Sequence, residues 1–330
     1  MLDATGRQRD EVSEGTRRRD RDSDTQHDCD ETGLVVGILK RLIPSTRGFE
    51  DLNADGQGEH RRDDPRCERA AHLAIILQDQ PMTGDFTIAA AQISSVRGDV
   101  SRNLAAHADA VVAAASHRVS ALVFPELSLT GYEPDLAAPL AFSLDDARVA
   151  SLRRLAVEHR IALTVGAPVR TAADKPAIGA FILTPDGDVR TYLKMHLGKS
   201  EVAYFSHGET PFTLDVDGHR LGLSICADSS RESHAQAYRD LGAQIYAAGV
   251  FLTGEWYQED APRLQKYAAT FGLLSVMANQ GASAGTYESI GRSAIWAPGG
   301  NLLVQADGVE NALVTATLGK TGWQGNLIRL

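Results

Sequence analysis

Three residues in this sequence have side chains suited to covalent chemistry and stand where a fold would expose them. Cys226 follows the apolar run Leu221-Gly-Leu-Ser-Ile225 and precedes Ala-Asp-Ser-Ser, which opens a helical stretch. A nucleophile at a strand-to-helix turn is presented at the edge of a sheet, and the next backbone N–H groups can face a developing oxyanion. Glu126 comes directly after Leu122-Val-Phe-Pro125. That is the carboxyl end of a buried strand, where the sites of α/β folds gather. Lys194 ends a strand in Arg190-Thr-Tyr-Leu-Lys194-Met-His196, and alternation puts Tyr192, Lys194 and His196 on one face. Singly, each has a plain reading: a small buried thiol, a loop carboxylate and an edge-strand cation. Together they complement one another. A thiol with its ordinary pKa of about 8.5 is mostly protonated at neutral pH. It needs a base or a cation to become a nucleophile. No histidine is placed for a Cys–His pair, so a glutamate base with a lysine as electrostatic partner would meet the need. His219 and Ser224 look like a hydrolase pair on paper. His219 reads as part of a hairpin turn, however, and at roughly 3.3 Å per residue along the strand the two cannot share a proton.

The elements that must hold these residues can be read from the apolar pattern. Strands are expected at 86–92, 121–124, 161–165 (ended by Gly166), 180–184, 189–193, 213–216, 221–225, 244–247, 274–278, 293–296, 302–305 and 312–317. Helices are expected at 103–115, capped by Asp99 or Ser101, and at 145–159, 232–241 and 261–271. Val149, Leu152, Leu155 and Ala156 fall on one face of the second. Pro185-Asp-Gly-Asp188 and Asp217-Gly218-His219 are hairpin signals, and Pro298-Gly-Gly-Asn301 is a turn between strands. Strands interspersed with helices indicate a layered α/β fold, and the hairpins make its sheets mixed. No G-x-G-x-x-G follows a strand and no phosphate loop is present, which disfavours a nucleotide enzyme.

The 330-residue chain carries a formal net charge of −10, and its charge is unevenly distributed. Residues 1–81 hold 13 Lys/Arg and 18 Asp/Glu, whereas residues 82–330 hold 20 and 25. So dense a run of charge, poor in aromatics, cannot bury enough apolar surface to offset ordering entropy. Residues 1–81 are therefore expected to be a disordered leader or a mis-called extension, with the natural start at Met82 and one domain over 82–330. Asp51-Leu-Asn53-Ala-Asp55-Gly56 copies half of a calcium loop, but Arg62 stands where the bidentate Glu belongs, so a solvated acidic turn is the reading. The acidic balance argues against a nucleic-acid partner. The short basic run at 17–21 is surrounded by acids. No stretch has the length and apolarity of a membrane span. Cys29, Cys67 and Cys226 form no C-x-x-C pair and are odd in number, which argues against a disulfide framework or a zinc cluster and for a reducing, cytoplasmic compartment.

Several separated motifs stand along the chain in a definite order. They are Ala89-Ala-Ala-Gln92 with Asn103; Phe124-Pro-Glu126 with Thr130-Gly-Tyr132; Tyr192-Leu-Lys194-Met-His-Leu; and Glu201 before Tyr204-Phe and Gly208. Ile225-Cys226-Ala-Asp228 follows, then Ala278-Asn279-Gln-Gly281 with Gly291-Arg-Ser293 and Pro298-Gly-Gly300. Over residues 85–330 this order resembles the nitrilase, or carbon–nitrogen hydrolase, superfamily. The resemblance implies a four-layer α-β-β-α sandwich, packed helix to helix as a homodimer or a higher homo-oligomer. It implies that Glu126 is the general base, that Cys226 is the nucleophile forming a thioester, and that Lys194 holds the oxyanion with the Ala227 N–H as second donor. Glu201 matches a second glutamate that orients the substrate and supports the leaving amine. Tyr132 and Phe251 fall at the family's pocket-lining positions. By default, Trp256 and Tyr257 are expected to pack near the site entrance or at a subunit contact, and His196 to be structural rather than catalytic. No metal or organic cofactor is implied. The expected partner is a small amide or carbamoyl substrate. Ala227 stands where an aromatic is common, which changes the pocket wall. Asp228 stands where true nitrilases usually carry Glu, which favours amides over nitriles. Transfer of the acyl group to an amine, a nitrilase activity, and a non-catalytic binding role are the competing readings. The intact Glu–Lys–Cys set argues against the last.

Overall fold

The computed structural model describes residues 85–330, residue 286 excepted. Cys29, Cys67, the acidic turn at 51–56, the basic run at 17–21 and Met82 lie outside the described residues. In chain order the first half holds β1 (Phe86–Gln92), α1 (Val100–Ser116), β2 (Ala121–Val123), α2 (Ala150–His159), β3 (Ala162–Val169), β4 (Ala177–Leu183) and β5 (Val189–Leu193). The second half holds β6 (Thr213–Val216), β7 (His219–Ile225), α3 (Glu232–Asp240), β8 (Ile245–Val250), α4 (Gly254–Phe271), β9 (Leu274–Asn279), β10 (Ala294–Trp296) and β11 (Leu302–Gln305). The chain ends on β12 (Ala312–Gly319) and β13 (Gly322–Arg329).

Two mixed sheets result. The seven-stranded sheet has the order β13-β12-β1-β2-β3-β4-β5 and the six-stranded sheet β11-β10-β9-β8-β7-β6. Each is built around three parallel strands, β1-β2-β3 and β7-β8-β9, with antiparallel neighbours outside. The parallel crossovers carry the helices, as that connection requires.

The strands are apolar on both faces, and that places the layers. In β1, Phe86, Ile88 and Ala90 join the core between the sheets, while Ala89 and Ala91 face the core under α1 and α2. In β8, Ile245 and Ala247 face inward, and Tyr246, Ala248 and Val250 face the core under α3 and α4. The order of layers is therefore α-β-β-α. Helix α1 begins at Asp99, whose carboxylate accepts from the Arg102 N–H at 3.0 Å. Its buried stripe is Asn103, His107, Ala110, Val111 and Ala114. Among the described residues no helix is long and apolar enough to cross a membrane.

Four differences from the expected elements have physical causes. Strand β3 does not stop at Gly166 but runs on to Val169. The glycine is there because a β-carbon would lie 2.1 Å from the Pro125 carbonyl oxygen. His219 belongs to β7, paired with Val216, and its ring packs on Phe86 at 4.2 Å. Helix α4 begins at Gly254 and carries Pro262 inside it. The buried stripe Tyr257, Asp260, Ala261, Leu264, Tyr267 and Ala268 outweighs the helix hydrogen bond the proline removes. Strand β13 has no clean alternation and two glycines, yet it pairs with β12 over its whole length.

Candidate active site

Glu126 lies just beyond the end of β2 in a segment fixed from three sides. From below, the backbone of 124–126 is pressed between the sheets. A β-carbon on Gly166 would meet Pro125 O at 2.1 Å, and one on Gly249 would meet Phe124 O at 2.6 Å. One glycine is in β3 and the other in β8, so each sheet gives up a side chain to admit the segment. From α1, His107 donates from Nδ1 to the Asn103 carbonyl (2.7 Å), and its Nε2 lies 2.9 Å from the Ser128 hydroxyl. Burial lowers its pKa to about 4, the Asn103 hydrogen bond opposing, so the imidazole is neutral and bonds as one donor and one acceptor. Asn103 Nδ2 donates to Leu129 O at 3.1 Å. From the loop after β9, Gln280 Nε2 donates to the Glu126 carbonyl at 3.1 Å. Leu127 takes φ +51°, a left-handed conformation that residues with a β-carbon seldom adopt.

Lys194 follows β5 and is fully buried. Its Nζ donates to Glu126 Oε1 at 2.6 Å and to Glu201 Oε1 and Oε2 at 2.7 and 2.8 Å. Glu201 is buried as well and also accepts from the Gly198 N–H (2.6 Å) and the Tyr132 hydroxyl (2.8 Å). The Tyr132 ring stacks on Phe251 with centroids 4.9 Å apart and planes 6° from parallel. Tyr287 stands edge-on to both rings, and Trp256 lies 5.4 Å from Tyr287.

Cys226 follows β7 and opens a short 3-10 turn, Cys226–Ser230. Its φ of +44° is again left-handed, a conformation tolerated where the surroundings enforce it. The half-buried thiol lies 4.0 Å from the Phe251 carbonyl oxygen. Ala227 is the second residue of the turn, and the first N–H groups of a helical turn have no acceptor within it.

The charges of this cluster set one another. Burial works against the Lys194 charge, but Glu126, the thiol and Glu201 outweigh it, so the ammonium is held above its ordinary range and stays protonated. Burial pushes the Glu126 carboxyl up, Lys194 pulls it back and Glu201 adds to the rise, leaving it at about 7. Removal from water and the Glu126 charge hold the Cys226 thiol well above its ordinary value, with Lys194 opposing. The resting pair above neutral pH is thus thiol and carboxylate. Glu126 Oε2 is buried and has no hydrogen-bond partner among the described residues. The arrangement can move a proton from sulfur to that oxygen and set an ammonium and backbone N–H groups against a nascent oxyanion.

The structure therefore brings Glu126, Lys194, Glu201, Tyr132, Phe251, Cys226 and Ala227 to one end of the two sheets. Tyr257 is placed elsewhere: it is buried, and its hydroxyl bonds to Arg292 O at 3.3 Å and to Gln305. Ser224 and His219 are not partners, since Ser224 Oγ lies 3.0 Å from the Tyr246 hydroxyl. Sequence reasoning gave no site role to Gly166, read as a strand end, to Gln280, quoted only within a motif, or to Gly249 and Tyr287. A glycine interrupting an otherwise apolar strand was the available signal for the two glycines.

Known proteins share this architecture. Residues 87–324 match the pattern of the family described as carbon-nitrogen hydrolase. The chloroplastic omega-amidase of Arabidopsis thaliana is 28% identical over 265 residues, covering 74% of this chain and 70% of the relative. The NitN amidase of Nesterenkonia sp. AN1 superposes with a TM-score of 0.66 at 28% identity, covering 72% of this chain and 94% of that one. A variant of the amidase from the same organism, showing the result of Michael addition of acrylamide at the active site cysteine, superposes with a TM-score of 0.65 at 28% identity, covering 70% and 92%. The family match spans both sheets and every residue gathered at their end, from Glu126 through Lys194 to Cys226. The chain accordingly belongs to the carbon–nitrogen hydrolase family of the nitrilase superfamily, as an amidase-like enzyme.

Proposed function

We propose that this enzyme hydrolyses a small linear amide or carbamoyl compound through a thioester on Cys226, with Glu126, Lys194 and Glu201 as the other reacting or orienting groups and no metal or organic cofactor. The observation that carries the reading is Glu126: one oxygen is bonded to the Lys194 ammonium, and the other, in the cluster that holds the thiol, is buried without a partner among the described residues. Glu126 Oε2 takes the thiol proton as sulfur attacks the carbonyl carbon, and the carbonyl π pair moves onto oxygen. Lys194 and the Ala227 N–H stabilise that oxyanion. The intermediate collapses with cleavage of the C–N bond, and the proton on Glu126 passes to the departing nitrogen. Glu201 orients the substrate and supports the leaving amine. Water then gives a proton to Glu126 and attacks the thioester. The second intermediate collapses with cleavage of the C–S bond, the proton on Glu126 returns to sulfur, and the acid departs. Tyr132 and Phe251 wall the pocket, and the small Ala227 leaves room on one side of it. Support comes from the relatives named as amidases and from the active site cysteine of the Nesterenkonia enzyme.

The test is a panel of small amides, carbamoyl amino acids, ω-amides and nitriles assayed for released ammonia, with Cys226→Ala alongside. Turnover of an amide that vanishes in folded Cys226→Ala is the expected result. Undiminished turnover in that variant would end the reading, and transfer of the acyl group to amines as well as hydroxylamine, with little hydrolysis beside it, would make the enzyme a transferase. The working form belongs to the same proposal: a homodimer packed through outer helices, where Val112 of α1 and Val157 of α2 are exposed. A monomeric mass by sedimentation at micromolar concentration would overturn it.

A further inference from the structure

Asp228 stands two residues after the nucleophile, yet both its oxygens are taken up inside the protein. Oδ1 accepts from the backbone N–H of Met195 (3.0 Å) and of His196 (2.8 Å) and lies 3.0 Å from His196 Nδ1. Oδ2 accepts from the Tyr192 hydroxyl (2.7 Å) and from the Ile225 N–H (3.1 Å). Met195 and His196 directly follow Lys194 beyond β5, in the seven-stranded sheet. Ile225 directly precedes Cys226 at the end of β7, in the six-stranded sheet. One fully buried carboxylate thus ties the backbone after the lysine to the backbone before the cysteine, across the seam between the sheets. Its hydroxyl partner is itself held. The Tyr192 hydroxyl lies 3.0 Å from His234 Nε2, and His234 Nδ1 lies 2.8 Å from the Tyr246 hydroxyl.

We propose that Asp228 is a positioning residue, setting the separation of the Lys194 ammonium from the Cys226 thiol. The inference rests on the roles proposed above for those two groups. The donor set explains why the residue is an aspartate. An ionised carboxylate only accepts, and all five partners donate. Three of the five are backbone N–H groups, which cannot reverse. Two of these bind Oδ1 and one binds Oδ2, so an asparagine in either orientation turns an NH2 group against a backbone N–H. The turn that carries Cys226 would then shift relative to Lys194. His196, Asp228 and His234 present ligand atoms within 4.8 Å of one another, a spacing a divalent cation could also use. The five donors on Asp228 and the two tyrosines on His234 already occupy those atoms, so the cluster is a hydrogen-bond hub.

The experiment compares Asp228→Asn and Tyr192→Phe with the wild-type full chain. Readouts are kcat and KM on an amide substrate, the rate of Cys226 alkylation by iodoacetamide, and thermal unfolding. Asp228→Asn should lower kcat on the order of 100-fold, the scale of an ångström's misplacement, with KM nearly unchanged and alkylation of Cys226 slowed as well. Tyr192→Phe removes one donor of five and should lower kcat by roughly three- to tenfold at the same KM. A chelator should leave the wild-type enzyme unaffected. Unchanged kcat in folded Asp228→Asn overturns the proposal, as does unchanged kcat in Tyr192→Phe where Asp228→Asn does not fold. Loss of activity on chelation would assign the cluster to a metal and overturn it too. Undiminished turnover in Cys226→Ala would instead overturn the assignment of the nucleophile, which separates the two failures.

Discussion

Lys194 has three protons on Nζ, and three carboxylate oxygens stand within 2.8 Å of it. The ammonium therefore holds Glu126 and Glu201 together before it can serve any substrate. Replacing it with methionine leaves two buried carboxylates facing each other, and breaking a buried pair in this way destabilises by roughly 3–5 kcal/mol. The sign of the pH effect follows. Without the cation the folded-state pKa of Glu126 rises further above its ordinary 4.5, so the folded form binds the proton more tightly than the unfolded one. Stability of Lys194→Met should then recover as pH falls through that raised value, which urea titrations at pH 8 and pH 6 would read. In the intact enzyme Glu126 titrates at about 7. Below that pH it already carries a proton and cannot take one from sulfur, so kcat/KM should fall tenfold per unit there and level off above. An acid limb near 4.5 would show that burial does not tune this carboxyl. Glu126→Gln should remove the limb together with about 10²–10⁴ of the rate.

Strands β3 and β8 do more than present side chains: each leaves out a β-carbon so that the segment bearing Glu126 can pass between them. Gly166→Ala places that carbon 2.1 Å from a carbonyl oxygen, and Gly249→Ala places it 2.6 Å from another. Neither oxygen can move without moving Glu126. Each variant should lose at least about 1–3 kcal/mol, the usual cost of overpacking, and lose kcat beyond what its unfolded fraction explains. Full activity in a stable Gly166→Ala would show that the loop is not held from beneath. These glycines also mark where the sequence stopped being readable. Glu126 and Cys226 were legible because each follows an apolar run, and Lys194 because strand alternation sets it on the face of Tyr192, both local patterns. The strands around them were legible because alternating faces are both apolar, as in Phe86-Thr-Ile-Ala-Ala-Ala-Gln92. Gly166 looks like the end of a strand because the atom it makes room for is 41 residues away and arrives only on folding. Asp228 was read for its effect on substrate choice, and its donors, the N–H groups of 195 and 196, leave no trace in residue type. Strand β13 escaped for the same reason, since its pairing with β12 and not its own composition makes it a strand.

At the scale of the whole molecule, the candidate site belongs to neither sheet alone. Glu126 and Lys194 follow strands of the seven-stranded sheet, while Cys226 and Phe251 follow strands of the six-stranded one. The core between the sheets is continuous, with Ile88, Val123 and Ile182 from one and Leu223, Val276 and Ile295 from the other. Residues 85–330 should therefore unfold in a single urea transition, with activity lost no later than far-UV ellipticity. A folded intermediate that keeps one sheet would break the link between packing and catalysis. The sheets also enclose a charge arrangement with a consequence for the reaction itself. Above neutral pH the resting cluster holds one cation, two carboxylates and a neutral thiol, a single net negative charge. After the proposed proton transfer and attack, Glu126 is neutral and the substrate oxygen carries the charge it gave up. The total is the same, so the step relocates a charge by a few ångströms without creating one. Screening by dissolved ions acts weakly on such a relocation inside a buried cluster, and kcat should be nearly the same at about 0.01 M and 1 M ionic strength.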